Sequence, residues 1–124
     1  DLFEVGPEWA LCHCVSKDFE MSAGIAAEFK RRFGGVDELN KQNVDVGKVA
    51  VLEKKGRLLY YLVTKKGYKG KSTMEMMESS LHAMKQHMIE HSVKKLALPQ
   101  IGCGLDQLSW GAVRGLILQV FDEV

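Results

Sequence analysis

Stretches of strand character alternate along this chain with stretches of helical periodicity, and this alternation constrains the fold more than any other feature. The strand-like stretches are short apolar runs at residues 10–15, 48–53, 57–64 and 94–98. The helix-like stretches repeat apolar residues every three or four positions, at residues 22–33, 72–88 and 110–121. Strands that alternate with helices are typical of sheets covered by helices on both faces. We therefore predict an α/β fold with three layers, α/β/α.

Local signals refine this prediction. Residues 54–56, Lys-Lys-Gly, separate the two middle strand runs and are typical of a hairpin turn, so the central sheet should be mixed. Ser22 can cap the first helix, and a short polar helix is expected at residues 36–42. The longest helix should begin at Ser72 or Thr73, because hydroxyl residues are favoured just before the first turn.

The composition is that of an ordinary globular protein. Of the 124 residues, 46% are hydrophobic and 27% are charged, which supports one core and excludes wholesale disorder. Seventeen Lys and Arg against sixteen Asp and Glu leave a net charge of +1, which gives no general attraction to nucleic acid or membranes. No apolar run approaches the roughly 18 residues of a membrane-spanning helix. Three irregularly spaced Cys indicate reduced thiols in a cytosolic or nuclear protein.

Two loops should leave strands at the same edge of the sheet and open helices, at residues 16–24 and 100–109. In such sheets, ligands bind beyond the carboxyl ends of the strands. Gly102 and Gly104 alternate in the second loop, so backbone N–H groups and the following helix N-terminus can approach an anion closely. A diphosphate could thus be bound with few cationic side chains. A Gly-rich connection without a ligand is the alternative.

The four His and three Cys do not follow a metal-site pattern, and no metal ligand is assigned. His13 lies on a strand, where neighbouring side chains point to opposite faces. His87 and His91 are four residues apart on a helix, but Met88 stands where a zinc-protease motif has glutamate. Cys103 lies in the Gly-rich loop without an identifiable His to activate it, and we interpret it as a small loop residue.

Six strings of the sequence match those of a known family. They lie at residues 1–3, 13–16, 21–26, 33–36, 60–66 and 99–110. On these strings the chain resembles macrodomains, and within them the branch of terminal ADP-ribose protein glycohydrolases. The strings Thr-Lys-Lys at 64–66 and Ile-Gly-Cys-Gly-Leu-Asp at 101–106 are specific to that branch. The resemblance implies one macrodomain over residues 1–124. The family has a further strand before residue 1 and another after residue 124, so we expect a domain trimmed at both ends.

The resemblance implies removal of ADP-ribose from glutamate and aspartate side chains, with O-acetyl-ADP-ribose as a related substrate and no metal or other cofactor. By motif match, Lys65 is the nucleophile that attacks the anomeric carbon of the distal ribose, and Asp106 is its acid/base partner. A lysine amine attacks only when neutral, although its reference pKa is about 10.4. On the residues alone, Lys65 also fits a solvated lysine in a mobile basic loop at 65–71, and Asp106 also fits a helix cap.

The resemblance also implies a set of substrate-binding residues from both loops and the N-terminus: Asp1, Leu2, Ser16, Ala23, Gly24, Ile25, Gln100, Ile101, Gly102, Cys103, Gly104 and Leu105. Asp1 would meet the adenine amino group, and Leu2 would line the adenine pocket. Ser16 would contact substrate, whereas on the residues alone it is also an ordinary turn hydroxyl.

The expected partners are ADP-ribose and ADP-ribosylated proteins, including the products of poly-ADP-ribose polymerases. We expect a monomer in the nucleus or cytoplasm, acting in the DNA damage response without a membrane partner. Two other functions stay open. One is a reader module that binds ADP-ribose in the same cleft without cleaving it. The other is a hydrolase that removes ADP-ribose from DNA bases, although the charge does not indicate nucleic acid.

Overall fold

The computed structural model describes residues 2–21, 24–67 and 73–98, together with Gly115 and Ile117. The elements in these ranges are, in chain order, a 3₁₀ turn at Leu2–Glu4, β1 (Ala10–Ser16), α1 (Gly24–Phe33), α2 (Val36–Lys41), β2 (Lys48–Lys54), β3 (Arg57–Lys65), α3 (Met74–Glu90) and β4 (Leu96–Ala97). This order of strands and helices is the predicted one. Ser22 and most of the predicted helix at 110–121 lie outside the described residues, although Gly115 and Ile117 are helical.

The strands of the described residues form one mixed sheet in the order β2-β3-β1-β4. The hairpin strands β2 and β3 pair antiparallel, while β1 lies parallel to both β3 and β4, which confirms the mixed sheet. The predicted strand at 94–98 is longer than the one observed. Only Leu96 and Ala97 pair, with Ala10 and Leu11 of β1, and both are half-buried rather than buried. In the described sheet β4 is an edge strand, and no other described strand pairs with its outer side.

Alternate residues of β1 and β3 point to opposite faces of the sheet and form part of two separate cores. The core between the sheet and α3 is rich in sulfur and aliphatic side chains: Ala10, Cys12, Tyr60, Leu62, Met77, Leu81, Met84 and Met88. The core on the opposite face, against α1 and α2, is rich in aromatic and branched side chains: Leu11, Val15, Phe19, Met21, Phe29, Leu39, Ala50, Leu52, Leu59, Tyr61 and Val63. Helices therefore cover both faces, as predicted for three layers.

The longest helix begins where the sequence predicts. Thr73 is the N-cap of α3, and its side-chain oxygen accepts a hydrogen bond from the backbone N–H of Met76 at 3.1 Å. This bond satisfies one of the N–H groups that a helix leaves unpaired at its start. Among the helices of the described ranges, none has both the length and the apolar character needed to cross a membrane.

His13 is a buried imidazole beside the aromatic core. Its ring stacks on Phe29 with centroids 3.8 Å apart, and Tyr61 meets it edge-on at 4.8 Å. Neither ring nitrogen has a hydrogen-bond partner within the described part of the chain. Burial in this apolar setting disfavours the charged form and lowers the pKa of His13 to about 3. The folded protein therefore holds this side chain neutral.

Acidification should destabilise the protein through His13. The imidazole of the unfolded chain has its ordinary pKa of about 6.5, so below that pH the unfolded state binds a proton that the folded state does not. The free energy of unfolding should fall as the pH decreases from about 6.5 towards the folded pKa of about 3. His13→Phe should flatten this dependence, as measured by urea unfolding at several pH values. An unaltered slope in His13→Phe would contradict the effect of burial.

Candidate active site

The carboxyl ends of β1 and β3 lie side by side and bring Ser16 and Lys65 together. Because these strands are parallel, both end at the same edge of the sheet. Val15 pairs with Val63, but Ser16 pairs with Lys65, so Thr64 is an extra residue in β3. A bulge of this kind bends the strand and redirects the side chains at its end. The register shift therefore sets which side chains meet at this edge.

Lys65 is the last residue of β3 and does not belong to the loop after it. The prediction of a mobile basic loop from residue 65 is wrong at that position, because β3 continues through the bulge. The backbone carbonyl of Lys65 accepts a hydrogen bond from the N–H of Lys17 at 2.9 Å. Its side chain is 9% exposed, whereas the neighbouring Lys66 is exposed. This burial does not fit the interpretation of Lys65 as a solvated loop lysine.

Ser16 is buried, and its hydroxyl is held by a carboxylate that the sequence analysis missed. The Ser16 Oγ donates to Asp18 Oδ1 at 2.5 Å, and the backbone N–H of Glu20 donates to the same oxygen at 3.1 Å. The N–H of Phe19 closes the turn by donating to the Ser16 carbonyl at 2.9 Å. The Ser-x-Asp spacing at the end of a strand is the signal that could have identified Asp18, because both residue types form local turns of this sort.

Two buried residues of the loop between β1 and α1 have left-handed backbone conformations. Phe19 has φ +53° and Met21 has φ +50°. Bulky residues avoid this region because Cβ crowds the carbonyl oxygen, at a cost of about 1–2 kcal/mol per residue. Packing offsets the cost, since the Phe19 ring lies edge-on to Tyr61 with centroids 6.5 Å apart. Backbone strain of this kind collects at functional sites. Neither residue type is typical of left-handed backbone, so the sequence does not show it.

The start of α1 continues the same edge of the site. Gly24 has φ +61°, which favours glycine at this position, and a Cβ there would meet no described atom within 4 Å. Ile25 is 36% exposed, which leaves it available to a ligand. Ala23 lies outside the described residues. Gly24 and Ile25 thus follow the strained loop, and their roles in substrate binding stay predictions.

The remaining predicted site residues are not described. Asp1 lies outside the described residues, as do the acid/base candidate and the Gly-rich loop: Gln100, Ile101, Gly102, Cys103, Gly104, Leu105 and Asp106. The backbone of Leu2 begins the 3₁₀ turn Leu2–Glu4. Within the described ranges, the site therefore consists of Ser16, the loop after it, Gly24, Ile25 and Lys65.

A cavity of about 410 Å³ lies at the other end of the sheet. Its lining includes Ala10 at the start of β1 and Gly56 and Leu58 near the start of β3. The amino ends of these strands are opposite to the edge that holds Ser16 and Lys65, so this cavity is separate from the candidate active site. No group of three or more His, Cys, Asp or Glu among the described side chains is placed to hold a metal ion.

Comparison with known proteins gives one family and several relatives. The sequence profile of the Macro domain family matches residues 12–117. A human protein named ADP-ribose glycohydrolase OARD1 is 48% identical over 122 residues, which span 98% of this chain and 80% of that protein. A Thermus aquaticus protein named DNA ADP-ribosyl glycohydrolase is 28% identical over 127 residues, spanning 95% of this chain and 35% of that protein.

Solved structures show the same similarity. The macrodomain of Mycobacterium tuberculosis DarG superposes with a TM-score of 0.89 at 25% identity, over 99% of this chain and 86% of that one. The macrodomain of Thermus aquaticus DarG superposes with a TM-score of 0.88 at 28% identity, over 100% of this chain and 87% of that one. The strands and helices of the described residues are thus arranged as in these two macrodomains.

The left-handed conformation of Phe19 predicts an unusual order of stabilities. Phe19→Ala should lower the free energy of unfolding by about 3 kcal/mol, as deletion of a buried aromatic ring does. Phe19→Gly should be no less stable than Phe19→Ala, because glycine adopts this backbone conformation without steric penalty. Phe29, within α1, is the matched control, where the Gly variant should be less stable than the Ala variant by about 1 kcal/mol. Urea unfolding of the four variants measures this. If the free energy of unfolding of the Gly variant lies as far below that of the Ala variant at position 19 as at position 29, the strain at Phe19 is contradicted.

Proposed function

Because this chain belongs to the macrodomain family, we propose that it is an ADP-ribosyl hydrolase that removes terminal ADP-ribose from glutamate and aspartate side chains through Lys65. The identity of 48% to a protein named ADP-ribose glycohydrolase, over 98% of the chain, supports the reaction. The observation that carries the choice of nucleophile is the position of Lys65. It is nearly buried at the carboxyl end of β3, at the sheet edge where α/β proteins bind ligands.

The proposed reaction proceeds in two steps at the anomeric carbon of the distal ribose. The Lys65 amine forms a C–N bond to that carbon while the bond to the ester oxygen breaks, and the modified carboxylate leaves with the electron pair. Asp106 takes the proton that the amine releases. Water then adds to the same carbon, the C–N bond breaks, and Lys65 recovers its amine as ADP-ribose departs. An acetyl ester of ADP-ribose is the expected second substrate.

Backbone N–H groups of the Gly-rich loop are proposed to bind the diphosphate. A net charge of +1 gives the chain no general attraction to an anion, and Gly102 and Gly104 allow close approach of the main chain. Asp1 and Leu2 would receive the adenine. The partners are ADP-ribosylated proteins, among them the products of poly-ADP-ribose polymerases, and the acting species is a monomer in the nucleus or cytoplasm.

A second candidate substrate is ADP-ribose attached to a DNA base. The observation that favours it is the 28% identity to a protein named DNA ADP-ribosyl glycohydrolase. Assaying ADP-ribosylated protein and ADP-ribosylated single-stranded DNA side by side distinguishes the two. We expect faster release from protein, and preferential release from DNA would overturn the proposed substrate.

Replacement of Lys65 should separate binding from cleavage. Lys65→Ala should bind ADP-ribose by calorimetry as the parent does, because the diphosphate is held elsewhere. Release of ADP-ribose from modified protein should fall more than about 1,000-fold, as loss of a nucleophile does in other hydrolases. Lys66→Ala is the matched control. Lys66 is the exposed neighbour of Lys65, so this variant should release ADP-ribose at the parent rate. A parent rate in Lys65→Ala would show the assignment to be wrong.

Trapping the intermediate tests the covalent step directly. Opening of the ribose ring converts the C–N adduct into an imine, and a mild hydride reductant added during turnover should reduce this imine to a stable amine. The sugar should then stay attached to the peptide that contains Lys65, as read by mass spectrometry. Parent protein that binds ADP-ribose, forms no adduct and releases no product would instead be a reader module.

A further inference from the structure

Ser16 and Asp18 form a hydrogen-bonded pair beside Lys65, and we propose that Asp18 is a positioning residue that makes Ser16 an acceptor for a sugar hydroxyl. The Ser16 Oγ donates its proton to Asp18 Oδ1 at 2.5 Å. A hydroxyl group has one proton and two acceptor lone pairs, so after this donation it can only accept further hydrogen bonds. Ser16 therefore selects ligand groups that donate. A ribose hydroxyl donates, whereas an ionised phosphate oxygen does not.

This inference rests on the proposed function, because that function places a ribose next to Lys65. Ser16 and Lys65 are paired in the register of the sheet, and both side chains are buried at the strand ends. A ligand carbon within reach of the lysine amine thus brings its neighbouring hydroxyls to Ser16. The Ser16 Oγ then recognises these hydroxyls by accepting a hydrogen bond from them.

The carboxylate is fixed in front of the Ser16 hydroxyl by the main chain. The Glu20 N–H donates to the same Asp18 Oδ1 at 3.1 Å, and the Phe19 N–H donates to the Ser16 carbonyl at 2.9 Å. Phe19, between Asp18 and Glu20, has a left-handed conformation, and its buried ring anchors the loop. The orientation of the hydroxyl is therefore set before a ligand arrives.

Asp18 also borders the segment that follows Lys65. A Cβ placed on Gly67 would lie 3.8 Å from Asp18 Oδ2, with no other described atom within 4 Å. The carboxylate thus stands between the loop after β1 and the chain after β3.

Comparison of two ligands tests the positioning role. ADP-ribose carries a second ribose, esterified to the terminal phosphate, and ADP lacks this ribose. Ser16→Ala and Asp18→Ala should each weaken ADP-ribose binding about tenfold, as loss of one hydrogen bond does, and should leave ADP binding unchanged. The double variant should bind no more weakly than either single variant, because both remove the same interaction. Asp18→Asn should recover most of the affinity, since its amide oxygen still accepts from Ser16 and Glu20.

The matched control is Asp45→Ala. Asp45 is an exposed carboxylate that pairs with Lys17 at 2.5 Å. Lys17 follows Ser16 in the chain, but Asp45 does not contact the Ser16 hydroxyl. Calorimetry should show the parent affinity in this variant. Equal losses for ADP and ADP-ribose, additive losses in the double variant, or an equal loss in Asp45→Ala would overturn the role of Asp18. Parent protein that binds ADP-ribose without cleaving it would overturn only the hydrolase, and parent protein that does not bind it would overturn both.

Discussion

Parallel pairing of β1 with β3 is the interaction on which the rest of the structure depends. β1 also pairs with β4, and β3 also pairs with β2, so these two strands join all the others in the described sheet. Their alternating side chains supply both cores, against α3 on one face and against α1 and α2 on the other. Their shared carboxyl edge is also where Ser16 and Lys65 meet. One set of hydrogen bonds therefore positions the core and the candidate active site together.

The buried polar side chains of β1 and β3 differ between the body of the strands and their carboxyl ends. Within the body of the strands the one titratable imidazole, His13, is kept neutral by burial and stacks on Phe29. At the strand ends the buried side chains are Ser16, Thr64 and Lys65, each of which brings a polar atom. The bulge at Thr64 lies at the boundary between these two parts. Local backbone irregularity thus begins where apolar packing stops.

Periodicity in the sequence predicts the order of elements because burial on two faces imposes it. The apolar runs of β1 and β3, the stripe on α3 and the cap at Thr73 were all recognisable for that reason. The bulge was not, because register depends on hydrogen bonds between segments far apart in the chain. Composition also misplaced Lys65 in a loop, since the lysines and glycines after it hide the end of the strand. The predicted roles of Asp106 and of the Gly-rich loop stay predictions.

The separation of the two cores has a chemical consequence. Sulfur is concentrated on the α3 side of the sheet, where Met77, Met84 and Met88 pack with Cys12, and Cys14 Sγ lies 3.8 Å from Met77 Sδ. Thioethers and thiols are the side chains that mild oxidants attack first, and a sulfoxide is too polar for such a core. While α3 is docked, Cys12, Met77, Met84 and Met88 are buried and shielded. Oxidation of these buried sulfur atoms should therefore record how often that helix leaves the sheet.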